Sequence, residues 1–149
     1  MRYVHIVRIA ALACIVVTTL GCSGNSRPKT IPISGSVSYG GGEWPAAGQI
    51  HFLPLEPAEG YPRRPALANF DADGNFDSPT SWEPGDGVVP GKYRVYIECW
   101  KIKPTIDGPP PVSYVADEFM SGAMSEIEVD ITVDSRNESF HWDITPRNG

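Results

Sequence analysis

Alternation of apolar and polar residues at a period of two, cut every few residues by glycine or proline, restricts what this chain can fold into more than any other feature. Ile33-Ser34-Gly35-Ser36-Val37-Ser38-Tyr39 alternates in this way, the pattern of a strand with one buried face. Gly40-Gly41-Gly42 then forces a turn. Gln49 to Leu53 is a second strand closed by Pro54, and Pro65 to Phe70 a third. Asp71-Ala72-Asp73-Gly74-Asn75 folds back into Phe76, because glycine accepts the positive φ of a tight hairpin. Pro90-Gly91 leads into a long strand, Lys92 to Trp100, and Ile127–Val133 and Phe140–Ile144 alternate in turn. Helical spacing is confined to one turn around Ala116 to Met124. Pro104 to Pro111 reads as a stiff extended loop that carries the chain from one sheet to another. Glycine and proline each supply 15 of 149 residues, above the ordinary share of about 12% together but below that of low-complexity chains. These features predict an all-β domain of six or seven short strands packed as a sandwich.

The start of the chain follows different rules. Arg2 and Arg8 flank a basic leader, and Ile9 to Leu20 is apolar. A charged start and an apolar core of about 7–15 residues describe a secretory signal. A membrane span would need roughly 20 apolar residues. Thr19-Leu20-Gly21-Cys22 resembles a bacterial lipobox, with Thr19 and Leu20 standing where that pattern has leucine and then a small residue. The resemblance implies cleavage after residue 21 and acylation of Cys22. The alternative is an ordinary secretory signal in which Cys22 is incidental. Residues 22–30 are polar and without period, a tether whose eight or so residues span at most ~28 Å. Residues 31–146 carry the β pattern.

Removing residues 1–21 from the 149 leaves 128, enough for one domain. Arg2 and Arg8 leave with the signal, so 12 basic residues become 10 against 18 acids, a net charge of −8. Nucleic acid is excluded on that ground, since its binding rests on Lys and Arg at phosphates. The charge argues against a polybasic grip on anionic lipid too, so any membrane attachment would come from the acyl chains on Cys22. Cys14 would leave with the signal and Cys22 would be acylated, which leaves Cys99 without a partner. Its phase with Val95 and Ile97 predicts a buried, inert thiol.

The order of these segments is similar to that of carboxypeptidase regulatory-like domains. Ile33–Tyr39 resembles their opening strand and Gln49–Pro54 their second. Asp71-Ala72-Asp73-Gly74-Asn75-Phe76 resembles their Asp-x-Asp-Gly-x-Phe hairpin, and Pro90-Gly91-Lys92-Tyr93-Arg94-Val95 their Pro-Gly-x-Tyr-x-Val strand. Pro111, Tyr114, Ser121-Gly122 and the two closing strands continue the order. The resemblance implies a seven-stranded Greek-key β-sandwich of transthyretin-like type in a small bacterial lipoprotein, a module with no reaction of its own.

Candidate chemistry is sparse. His51 and His141 alternate with apolar neighbours and are expected to face solvent. No paired His or Cys spacing signals zinc or non-haem iron, and no cofactor is implied. The Asp71, Asp73, Asp77 turn misses the calcium-loop template, since position 6 is Phe76 and position 12 is Trp82. It reads as a hairpin turn, with a weak surface calcium site left open. Tyr39, Phe52, Phe70, Tyr93, Phe140 and Trp142 fall in step with the core. Trp44, Trp82 and Trp100 lie in loops or on polar phases, and Tyr96 shares the outer phase with Arg94 and Glu98. Exposed aromatics among polar residues can stack on sugars or anchor a protein, so Tyr96, Trp100, Trp44 and Trp82 are the candidate binding surface, or else they fold onto the core. The sequence therefore predicts a non-catalytic envelope lipoprotein acting as a structural or interaction module, with an envelope protein or polysaccharide as partner. The alternative is a carbohydrate- or peptide-binding sandwich that uses the aromatics, and third comes an enzyme whose site the sequence does not disclose.

The lipid expectation is tested by metabolic labelling with a palmitate analogue. The wild type takes up label and Cys22→Ala does not; an unlabelled wild type cut at another bond overturns it.

Overall fold

The computed structural model describes residues 27–147; the signal segment and Cys22 lie outside them. The strands are β1 (Ser34–Tyr39), β2 (Gly48–Pro57), β3 (Ala66–Phe70), β4 (Asn75–Asp77), β5 (Gly91–Glu98), β6 (Trp100–Ile102), β7 (Val112–Ser113), β8 (Glu128–Ile131) and β9 (Ser139–Ile144). The chain is all-β, with only short 3-10 turns at Asp117–Phe119 and Val133–Asn137. Seven strands form one mixed sheet in the order β8-β5-β2-β3-β4-β1-β9, and β6 with β7 forms a small second ladder.

Strand β5 shows why these residues adopt these elements. Gly91, Tyr93, Val95 and Ile97 are buried, while Lys92, Arg94, Tyr96 and Glu98 point outward. This is the half-buried alternation expected of an antiparallel strand. Its partner β2 runs through Pro54 instead of ending there, and the register shifts between Pro54 and Glu56. Proline is tolerated because β3 pairs with β2 only as far as Phe52, so beyond that point the missing N–H interrupts no second ladder.

The sheet curls. Phe52 of β2 and Trp142 of β9 meet with ring centroids 6.3 Å apart, although three strands separate them in the sheet order. Trp142 also stacks on Phe76 at 5.8 Å. The core enclosed in this way includes Ile50, Phe52, Phe70, Tyr93, Val95 and Ile97, each at most 2% exposed. Burial of each large side chain stabilises the fold by about 1.5–3 kcal/mol. The Tyr93 hydroxyl donates to the Val89 carbonyl at 2.8 Å, and burial pushes its pKa up to about 12.

Two glycines allow backbones to approach. Gly35 lies in β1 against the parallel strand β9, where a Cβ would stand 2.0 Å from the Phe140 carbonyl oxygen. Gly74 turns the β3–β4 hairpin at φ +82°, and a Cβ there would lie 1.9 Å from the Val37 oxygen. The Asp-Gly turn is where the sequence put it, with Asp71 Oδ1 accepting the Asn75 N–H at 2.8 Å.

The segment 104–111 corrects an expectation. It joins β6 to β7, which pair with each other, and so closes a hairpin without crossing between sheets. The long strand expected over Lys92–Trp100 breaks at Cys99, and Trp100 opens β6. Arg27 and Thr30, expected in the tether, bond to Glu83 and to the Asp86 carbonyl.

Cys99 is 1% exposed and unpaired. Its thiol lies 3.4 Å from the Ala46 carbonyl, and burial raises its pKa. A thiol reagent should therefore react slowly with the native protein and quickly after unfolding. Cys99→Ser should cost less in denaturant melts than the ~1–3 kcal/mol of an unsatisfied buried hydroxyl, because the Ala46 carbonyl offers the new O–H an acceptor. Fast labelling of the native protein would show that the thiol is open.

Candidate functional site

The outer face of β2 and β5 gathers what is left when Ile50, Phe52, Val95 and Ile97 turn inward. Register sets His51 opposite Tyr96 and Gln49 opposite Glu98, and across the other side of β2 it sets Gln49 opposite Asn69. Side chains directly opposite on one face have Cβ atoms about 4.5–5.5 Å apart. His51 and Tyr96 accordingly stack, with ring centroids 4.4 Å apart and planes within 4°. Gln49 Nε2 donates to Asn69 Oδ1 at 3.1 Å.

Glu98 joins these groups to Trp100. Its Oε2 accepts the Trp100 Nε1–H at 3.2 Å, which fixes the indole beside the carboxylate. Its Oε1 stands 3.6 Å from His51 Nε2, outside hydrogen-bond reach, so that buried nitrogen has no partner. Burial pushes the His51 pKa down while Glu98 pulls it up, and burial prevails. Burial, and then the Glu98 charge, raise the pKa of Tyr96.

Beside this cluster opens a cleft of about 550 Å³, lined by Gln49, Asn69, Glu98, Trp100, Lys103 and Pro104 among others. Its size falls within the ~300–1,000 Å³ of ordinary small-ligand sites. Its lining holds two aromatic residues, the half-buried Trp100 and the buried Phe70, with two amide side chains, one carboxylate and one ammonium. Such a set can stack on a ring and bond its hydroxyls. Glu98 is the one carboxylate among the described lining residues, whereas glycoside hydrolysis normally takes a pair.

The four aromatics expected to share a surface do not all do so. Tyr96 and Trp100 are half-buried on the outer side. Trp44 is a core residue at 4% exposure. Its Nε1–H bonds the Val37 carbonyl at 2.8 Å, and its ring lies 4.9 Å from Tyr39 and 4.7 Å from Phe70. The loop position suggested exposure, but the Asp71–Asn75 turn, whose Ala72 carbonyl accepts the Trp44 N–H, draws the indole inward. Trp82 belongs to a different cleft, lined by Arg27, Lys29 and Arg136 among others. The Arg64 guanidinium lies 5.4 Å from its ring centre, a cation–π contact.

His51 departs from the solvent-facing expectation because Tyr96 covers it. His141 is exposed and bonds Ser36 Oγ at 2.8 Å through Nδ1. The parts of the cleft that sequence reasoning passed over are Gln49, Asn69 and Lys103. Each is an ordinary polar residue until strand register sets Gln49 beside Asn69 and the chain leaving β6 brings Lys103 to them. Among the described residues no group of three or more His, Cys, Asp or Glu is placed to hold a metal ion. Comparison with protein-family models, with curated proteins and with solved structures finds no match for this chain.

The lowered pKa of His51 has a definite sign. Below about pH 6.5 the unfolded chain binds a proton that the folded one resists, so stability falls as pH falls through that window. His51→Gln should therefore show a shallower loss of melting temperature from pH 7 to pH 5 than the wild type. Parallel curves would mean that the imidazole titrates as it does in water.

Proposed function

We propose that this protein is a non-catalytic interaction module of the bacterial cell envelope, held to a membrane by a lipid on Cys22, and that it binds envelope carbohydrate in the Trp100 cleft. The observation that carries the carbohydrate reading is the half-buried Trp100, pinned by Glu98 beside the bonded amides of Gln49 and Asn69. An aromatic face takes the apolar side of a sugar ring, and fixed amide and carboxylate groups take its hydroxyls. Because these groups already bond one another, little side-chain entropy is lost on binding. The basic leader, the apolar run and Gly21-Cys22 support the envelope setting. The Asp71–Asn75 hairpin and the Pro90-Gly91 lead into β5 support reading the curled sheet as a transthyretin-like Greek-key sandwich. The single engaged carboxylate favours holding a ligand over cleaving it.

Pull-down of the purified protein with isolated cell-wall and envelope polysaccharide tests the reading. Trp100→Ala should weaken binding at least about tenfold, 1.4 kcal/mol. Tyr96→Ala, one residue row away from the cleft, should weaken it less, and Trp82→Ala should bind as the wild type does, all at matched melting temperature. Unchanged binding in a folded Trp100→Ala removes the carbohydrate site.

A further inference from the structure

Strand β8 lies at one edge of the seven-stranded sheet. On one side it pairs with β5, and among the described residues no strand pairs with the other side. The register tells which main-chain groups are open. Val95 N–H donates to the Ile127 carbonyl at 2.8 Å, so residue 127 turns its main chain toward β5. By the period of two, residues 129 and 131 do the same, while Glu128 and Asp130 turn theirs outward. An open row of this kind is a template for an added strand, and sheet edges are commonly guarded by lysine, proline or a bulge. Glu128-Val129-Asp130-Ile131 has no lysine, proline or bulge, and its pairing with β5 runs without a register shift. Its guards are its four-residue length and its two acids, which repel a like-charged strand and not a basic one.

A groove of about 440 Å³ crosses the end of the sheet where Ile131 of β8, Gly91 of β5 and Pro57 of β2 lie side by side. Pro57, Tyr61, Pro90 and Val133 give it apolar walls, and Glu59 and Asp130 stand at its rim. Val133 is 64% exposed. Lys92, the cation in the lining, lies 3.5 Å from Glu56. Glu128 is held by Arg94 at 2.7 Å. Among the described residues no ion pair engages Glu59 or Asp130.

The charge selects the occupant. A second copy added antiparallel to β8 would bring Glu128 and Asp130 against their own counterparts, and like charges across a strand pair are destabilising. The whole chain carries 18 acids against 12 basic residues, which points the same way.

We propose that β8 and the adjoining groove form a docking site for an extended basic peptide segment of another protein. The segment joins the sheet as an eighth strand, bonding the outward main-chain groups of Glu128 and Asp130. A cationic side chain of the added strand meets Asp130. The segment continues past Ile131 across the sheet end, where an apolar side chain enters between Tyr61 and Val133 and a second cation meets Glu59. This surface shares no lining residue with the Trp100 cleft, so it stands or falls apart from the carbohydrate reading.

The test uses the full chain and two blocked probes of alternating sequence, Lys-Val-Lys-Val-Lys-Tyr and its glutamate counterpart. The lysine probe should bind by fluorescence anisotropy, more weakly as salt is added, and should slow hydrogen exchange at the Glu128 and Asp130 amides. Asp130→Lys should weaken it about tenfold or more, as expected for reversing a charge at an interface rim. Asp130→Pro removes an outward N–H without touching the β5 ladder and should abolish the exchange protection. If that variant does not fold, Asp130→Lys and Glu59→Lys decide. Equal binding of the glutamate probe, protection at another strand, wild-type affinity in the folded variants, or no binding at millimolar probe overturns the proposal. A dimer that forms without probe and is lost in Asp130→Pro assigns the edge to a second copy and overturns it as well.

Discussion

Burial of every second residue of β5 is the constraint on which the rest of the structure depends. Tyr93, Val95 and Ile97 are almost wholly removed from water, and β2 and β8 are aligned on either side of them. A slip of one residue would turn the entire set to the outside. That makes the register of β2 against β5 close to obligatory, and with it the partners of His51 and Gln49. The outward residues of the same strand have no such demand placed on them. Tyr96 and Glu98 are therefore free to form a polar and aromatic cluster that rests on a rigid floor, the arrangement a binding site needs.

The far end of the sheet is held by different means. β1 and β9 run parallel, and Gly35 lets the two backbones close where a Cβ would meet the Phe140 carbonyl. Asp143 secures that pair at the surface. Its carboxylate accepts from Ser38 Oγ at 2.5 Å and from the Gly41 N–H at 2.8 Å. Those two bonds, the Ser38 one first, hold its pKa below the usual carboxylate range. With β9 so placed, Trp142 reaches Phe52 and Phe76, and the curl of the sheet follows from burying those rings together.

Two surfaces of different chemistry result. The Trp100 cleft is polar and aromatic, with its groups already bonded to one another. The β8 edge offers unpaired main-chain groups beside an apolar groove with free acids on its rim. Both derive from β5: one lies on its outer face, and the other lies across the strand that β5 aligns.

Much of this was legible in the sequence, and the boundary has a physical basis. Period-two alternation reports which residues of a strand share a face, because successive side chains in extended backbone must point to opposite sides. Hence the all-β class, the Asp71–Asn75 hairpin, the burial of Cys99 and the shared outer phase of Tyr96 and Glu98 could be read from local order alone. Local order does not say which strand lies beside which. The parallel pairing of β1 with β9, the return of 104–111 within one hairpin, and the Gln49–Asn69 and His51–Tyr96 pairs each join distant segments. So do the inward turn of Trp44 and the capture of Trp82 by Arg64. Whether a loop aromatic stays in water depends on what another part of the chain brings to it, and only the packed tertiary structure decides that.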